Sequence, residues 1–182
     1  MRHGVSLALA VAAAGALLAP FGRAGEGHDG TRDVSTVFFV AKSENKNQVH
    51  YGIRLDEACA PSGETPVYAY WRMLERGPLA TEPLLSREVR AYGVADERVL
   101  ERGPRVSRTR VTLEALRSRP MLVESYAEGP RCAAHATLPI SGVPAALESV
   151  FVQLAWPFGV AYLTLSGSAI ADGGPVHERV EP

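Results

Sequence analysis

The sequence predicts an all-β, mainly antiparallel fold, a single-domain barrel or sandwich of about nine strands with at most one or two short helical turns. Three observations carry this expectation. Apolar and polar residues alternate with a period of two through segment after segment, the pattern of half-buried strands. The 17 Gly and 13 Pro among 182 residues fall largely between those segments, where tight turns use them. No apolar pattern of helical period is long enough to supply the crossover that joins parallel strands.

The start of the chain has a different character. Arg2 leads into an apolar run over residues 5–19, and Gly22 and Ala24 then place small side chains at the third and first positions before a cut after Ala24. This is the layout of a secretory signal peptide, here residues 1–24. The run is about 15 residues, short of the roughly 20 that a helix needs to cross hydrocarbon. Expected are cleavage near Ala24, a periplasmic or secreted protein, and no transmembrane segment after cleavage. Residues 25–35 lack apolar periodicity and are expected to be a flexible lead-in to a β-domain over 36–182.

From Thr36 onward the alternation begins. Val37, Phe39 and Ala41 alternate with Phe38, Val40 and Lys42; after Ser43-Glu44-Asn45-Lys46-Asn47, Val49, Tyr51, Ile53 and Leu55 alternate with His50, Gly52, Arg54 and Asp56. The two runs make a hairpin with an Asn-rich turn. Further strands are expected at 67–74, 85–94, 106–113, 121–126, 132–140, 150–154 and 160–165. Turn signals such as Arg76-Gly77-Pro78, Arg102-Gly103-Pro104, Glu128-Gly129-Pro130, Ser141-Gly142 and Trp156-Pro157-Phe158-Gly159 separate them. Helical turns are expected within 112–119, which stops at Pro120, and at 144–148, where Pro144 precedes Ala145-Ala146-Leu147-Glu148. Residues 175–180 read as a last short strand or a tail.

Lys plus Arg number 19 against 20 for Asp plus Glu, so the basic excess that holds nucleic acid through its phosphates is missing and nucleic acid is excluded as a partner. Removing residues 1–24 leaves 17 basic and 20 acidic residues, a mild acidity compatible with solubility. The two cysteines, Cys59 and Cys132, both lie in the exported part and beside Pro or Gly. A disulfide between them is expected in an oxidising compartment, the alternative being two unrelated thiols.

The candidate binding residues come from two runs. As a strand, 67–74 puts Val67, Ala69, Trp71 and Met73 on a core face and Tyr68, Tyr70 and Arg72 on the other. In the expected strand 85–94, Glu88, Arg90 and Tyr92 share a face. Sequential strands usually pair, so these six side chains could line one cavity, with Tyr rings for apolar area and Arg for a polar or anionic head. The structural alternative is an open sheet face on which they pair only with one another. No catalytic residues are assigned, since there is no Gly-x-Ser-x-Gly. His28, His50, His135 and His177 have no second ligand at metal-binding spacing, so no metal is expected, and no phosphate loop or other cofactor motif is present. The leading reading is a non-catalytic binding module for a small amphipathic molecule in the cell envelope. The alternatives are a structural or protein-interaction component of the envelope and, furthest, a hydrolase-type enzyme. An outer-membrane barrel is disfavoured by 7% aromatic residues and by the charged run 105–110.

Four stretches stand out together: Phe38-Phe39-Val40-Ala41-Lys42-Ser43-Glu44-Asn45-Lys46-Asn47 followed by Val49-His50-Tyr51, and Pro66-Val67-Tyr68-Ala69-Tyr70-Trp71-Arg72-Met73; then Ser86-Arg87-Glu88 with Ala91-Tyr92-Gly93-Val94, and Val150-Phe151-Val152-Gln153-Leu154. On these the chain resembles DUF4833, a family of exported bacterial domains of unknown function. The resemblance implies an exported β-rich domain over about 36–180 and no known activity.

Overall fold

The computed structural model describes residues 24–26, 32–156 and 159–181. The expected signal peptide therefore lies outside the described residues except for Ala24. Among them run β1 (Ala24–Glu26), β2 (Arg32–Lys42), β3 (Gln48–Ile53), β4 (Val67–Arg72), β5 (Thr81–Pro83), helix α1 (Ser86–Tyr92), β6 (Val94–Arg102) and β7 (Val106–Leu113). There follow a 3-10 turn (Glu114–Leu116), β8 (Met121–Glu128), β9 (Arg131–Ile140), β10 (Val143–Ala155), β11 (Gly159–Ala169) and β12 (Pro175–Val180). The all-β expectation holds, with 12 strands rather than about nine.

Four local expectations are corrected. Part of the stretch expected as a lead-in is strand: β1 pairs with Arg32–Val34 of β2. Residues 85–94 are not a strand; Ser86–Tyr92 is helix α1. Strand β6, which follows it, was not expected, because bulges beside Ala95 and Leu100 break its alternation. Residues 144–148 are not helical but open β10, where pairing with β9 and β11 outweighs the helix preference of Ala and Leu. The helical turn expected within 112–119 is present as Glu114–Leu116.

All strands belong to one sheet, whose main path is β5-β4-β3-β2-β10-β9-β8-β7-β6. Every pairing is antiparallel except β2 with β10. Strand β10 explains the shape. Residues 143–147 pair with β9 and 149–152 with β2, while β11 runs along 145–155 on the other side. One edge of β10 thus serves two strands in turn. They part at Glu148, and the two halves of the sheet turn their apolar faces toward each other as a sandwich.

The core fills that space. Phe38 stacks on Tyr51 with ring centroids 4.5 Å apart, and Val49, Ile53 and Trp71 join them from one half. Val111, Leu113, Met121, Val123 and Leu138 come from the other, and Val150, Val152 and Leu165 from the shared hairpin. Each such side chain contributes about 1.5–3 kcal/mol on burial. Cys59, in the loop after β3, is bridged to Cys132 at the start of β9. Strand β4, next to the edge strand β5, and the opposite edge strand β6 approach each other but do not join in a ladder; the Val67 N–H is instead taken by Glu97 Oε2 at 3.2 Å. The sheet is therefore not a closed barrel. Among the described residues no helix is long and apolar enough to cross a membrane.

Candidate functional site

The six candidate residues separate into two groups on opposite faces of β4. Tyr68, Tyr70 and Arg72 lie on the outer face. Tyr68 lies over Gly52, its partner in β3; a Cβ there would come within 2.6 Å of the ring, so only glycine leaves the room. The Arg54 guanidinium stands 4.7 Å from the Tyr68 ring centroid. Tyr70 stands opposite His50, whose ring is 5.7 Å away, and Phe39 stacks on His50 from the other side at 5.4 Å. The Tyr70 hydroxyl donates to Ser35 O at 3.0 Å and Arg72 Nε to Pro78 O at 3.0 Å.

His50 is 3% exposed, and its two nitrogens have defined partners: Thr36 Oγ1 at Nδ1 and Gln48 Oε1 at Nε2, both at 2.9 Å. The amide oxygen can only accept, so the ring proton sits on Nε2 and Nδ1 accepts from Thr36. Burial, aided by the charge of Arg72, pushes its pKa down to about 4. Burial, with Asp33 next, pushes Tyr68 up to about 12. This face is a cross-strand ladder of rings in which the polar ends of His50 and Tyr70 are tied within the protein, and it lies on the side of β4 opposite Glu88 and Tyr92.

Glu88 and Tyr92 belong to the inner side. A seven-residue helix returns its face toward the core every three or four residues, so Glu88 and Tyr92 both meet Trp71. Trp71 Nε1 donates to Glu88 Oε2 at 3.0 Å, and the Tyr92 ring packs edge-on to the indole at 5.7 Å. The buried Tyr51 hydroxyl donates to Tyr92 O at 2.6 Å. Arg90 points away and is exposed.

At this end of the sandwich the inner face opens into a cleft of about 330 Å³, lined by Lys42, Asn45, Asn47, Trp71, Met73, Glu82, Pro83, Leu85 and Glu88. The β2–β3 turn forms one wall. Asn45 Oδ1 accepts the Asn47 N–H at 3.0 Å, which closes the turn. The Asn47 amide in turn donates to Glu75 Oε2 and accepts the Glu75 N–H, both at 3.3 Å, so the turn is tied to the segment after β4. The start of α1 forms the facing wall, where Glu88 Oε2 also accepts the Leu85 N–H at 2.8 Å. Burial draws Glu88 upward, but these two hydrogen bonds, with Arg87 and Lys42 nearby, outweigh it and hold the carboxyl below its usual range.

Trp71 is the floor. Lys42 Nζ stands 5.3 Å from the indole centroid and 3.4 Å from Glu44 Oε2. Lys42 and Glu88 therefore flank one indole, an ammonium over the ring and a carboxylate at its N–H, without meeting in an ion pair among the described residues. Both hydrogen bonds to Glu88 fall on Oε2, which leaves Oε1 as an acceptor. Met73, Pro83 and Leu85 add an apolar side. Such a lining can hold a small molecule by apolar contact and a few directed hydrogen bonds.

Of the expected binding residues only Glu88 lines this cleft. Lys42, Asn45, Asn47 and Trp71 were not among them, since the first three read as strand end and turn and Trp71 as core. Residues 38–179 match the family described as a domain of unknown function, DUF4833. No curated protein and no solved structure matches the chain. Lys42, Asn45, Asn47, Trp71, Met73 and Glu88 all fall within the segments that carried the family resemblance, and that was the signal pointing here.

Proposed function

The chain belongs to the DUF4833 family, and we propose that it is an exported, non-catalytic binding module whose cleft between the β2–β3 turn and α1 takes a small amphipathic molecule of the cell envelope. The observation that carries this reading is the convergence of Lys42, Asn45 and Glu88 around Trp71 beside Met73, Pro83 and Leu85, brought together from three separate segments. A carboxylate held ionised by two donors suits a fixed acceptor better than a proton donor. The secretory layout of residues 1–24 and the Cys59–Cys132 bridge support export.

The test is a thermal-shift screen of small molecules on the protein secreted from the full chain. A ligand present at 100 times its Kd stabilises by about 2.7 kcal/mol, a readily measured rise in Tm. The expected result is a compound that raises Tm in the native protein but not in Lys42→Met or Asn45→Ala. Equal rises in all three would place binding elsewhere and overturn the assignment.

One observation favours a second reading, an interaction part of the envelope. Trp156, at the tip of the β10–β11 hairpin, is 95% exposed, and large exposed apolar side chains often mark contact surfaces. Trp156→Ser that releases the protein from isolated envelopes, with cleft binding unchanged, would support this reading; unchanged envelope association would remove it.

A further inference from the structure

We infer that the cleft selects an uncharged polyhydroxylated ring, a neutral saccharide, over acidic or cationic ligands; this rests on the cleft being a binding site. The charges that line it are of both signs and close together: Lys42 on one side of the Trp71 floor, Glu88 on the other, Glu82 at the rim. Around one indole, Lys42 and Glu88 offer an ammonium donor and a carboxylate acceptor that a single bound group can use together. A hydroxyl does both, because its oxygen accepts from Nζ while its proton goes to Oε1. Neighbouring hydroxyls on one ring reproduce this pairing at the next positions, where the Asn45 amide supplies a further donor.

Charged ligands fit worse. Glu82 is paired with Arg76 and Lys42 with Glu44, so a carboxylate would gain little from Lys42 and face Glu88, and an amine would gain Glu88 but face Lys42. The guanidinium expected to hold an acidic head, Arg72, lies on the outer face and donates to Pro78 O. The apolar side formed by Met73, Pro83 and Leu85 offers a surface for the C–H face of a sugar ring. A cleft of about 330 Å³ lies at the small end of ligand sites, which run from about 300 to 1,000 Å³. That is room for one or two sugar units.

The experiment is isothermal titration, backed by saturation-transfer NMR, of the secreted protein with three sets of disaccharides: neutral hexose or N-acetylhexosamine units, uronic acids, and free amino sugars. The expected result is saturable binding of a neutral disaccharide, weakened about tenfold or more by Lys42→Met and by Glu88→Gln, the loss typical of one charge-assisted hydrogen bond. Glu88 also anchors α1 and Asn45 also closes the β2–β3 turn, so Lys42→Met is the variant that leaves both in place, and it should weaken binding with Tm nearly unchanged. Preference for a uronic acid or an amino sugar, or neutral binding indifferent to Lys42→Met and Asn45→Ala, overturns the inference. Should no saccharide bind while the thermal-shift screen finds another compound sensitive to Lys42→Met, the saccharide falls and the binding reading stands. Failure of both removes both.

Discussion

At the residue scale, two polar groups, Glu88 at the cleft and the buried His50, are used in opposite ways. Glu88 is kept charged by donors aimed at one oxygen, whereas His50 is kept neutral by burial and by the charge of Arg72. The His50 pKa falls from 6.5 unfolded to about 4 folded, so between those values the unfolded chain binds a proton that the folded protein refuses. Stability is full above pH 6.5, falls as the pH drops toward 4, and levels below it, a change of about 3 kcal/mol. Urea unfolding between pH 7 and pH 4 should show this slope in the native protein and a shallower one in His50→Gln; equal slopes would deny His50 the role. That His50 would be buried was hard to read from sequence. An alternating strand identifies its core face, but not whether rings from neighbouring strands will close over its other face.

At the element scale, α1 positions the site, although its sequence alternates like a strand. Over seven residues, Glu88, Arg90 and Tyr92 fit a period of two as well as Glu88 and Tyr92 fit a helical turn. The distinguishing signs were local: Glu88 three residues after the Leu85 cap, and Gly93 directly after the last turn. Gly93 has an ordinary φ of −69°, so its role is spatial. A Cβ there would lie 2.3 Å from Val89 O, a backbone atom with nowhere to go. Gly93→Ala should therefore destabilise by about 2 kcal/mol, lower Tm, and reduce the near-ultraviolet dichroism of Trp71 as α1 shifts. A variant with native Tm and native Trp signal would show that α1 tolerates the displacement. Strand β6 is hidden in the sequence for a related reason. Each bulge inserts a residue and reverses the faces of those that follow, so the period of two never accumulates.

At the scale of the whole molecule, the Cys59–Cys132 bridge ties the loop after β3 to β9 across the sandwich, at the end away from the cleft. Its partners are 73 residues apart, a separation for which chain-entropy arguments give about 4 kcal/mol of stabilisation. The double variant Cys59→Ser with Cys132→Ser should unfold at a clearly lower urea concentration, keep the strand-dominated far-ultraviolet spectrum at low temperature, and bind cleft ligands as before. An unchanged midpoint would mean that the reduced chain is already constrained by its other contacts. The bridge expected from compartment and from the Pro and Gly beside each cysteine is the one present, since turns at strand ends let two distant segments meet without breaking a ladder.

By itself the sequence determined the all-β class, most of the strands, the disulfide pairing and the family, because each is written in short-range pattern: period-two burial, turn residues, cysteine context and local motifs. Tertiary structure alone decided which half-buried faces became core, where the sheet folded over at Glu148, and that Tyr68 and Glu88 would stand on opposite faces of β4. It also decided that Lys42, Asn45, Trp71 and Glu88, up to 46 residues apart in the chain, would meet at one cleft. The physical reason is that a site of this kind depends on strand register and on one short helix docking against an indole. Both are set by the summed packing of the whole sheet, to which no single segment's pattern gives access.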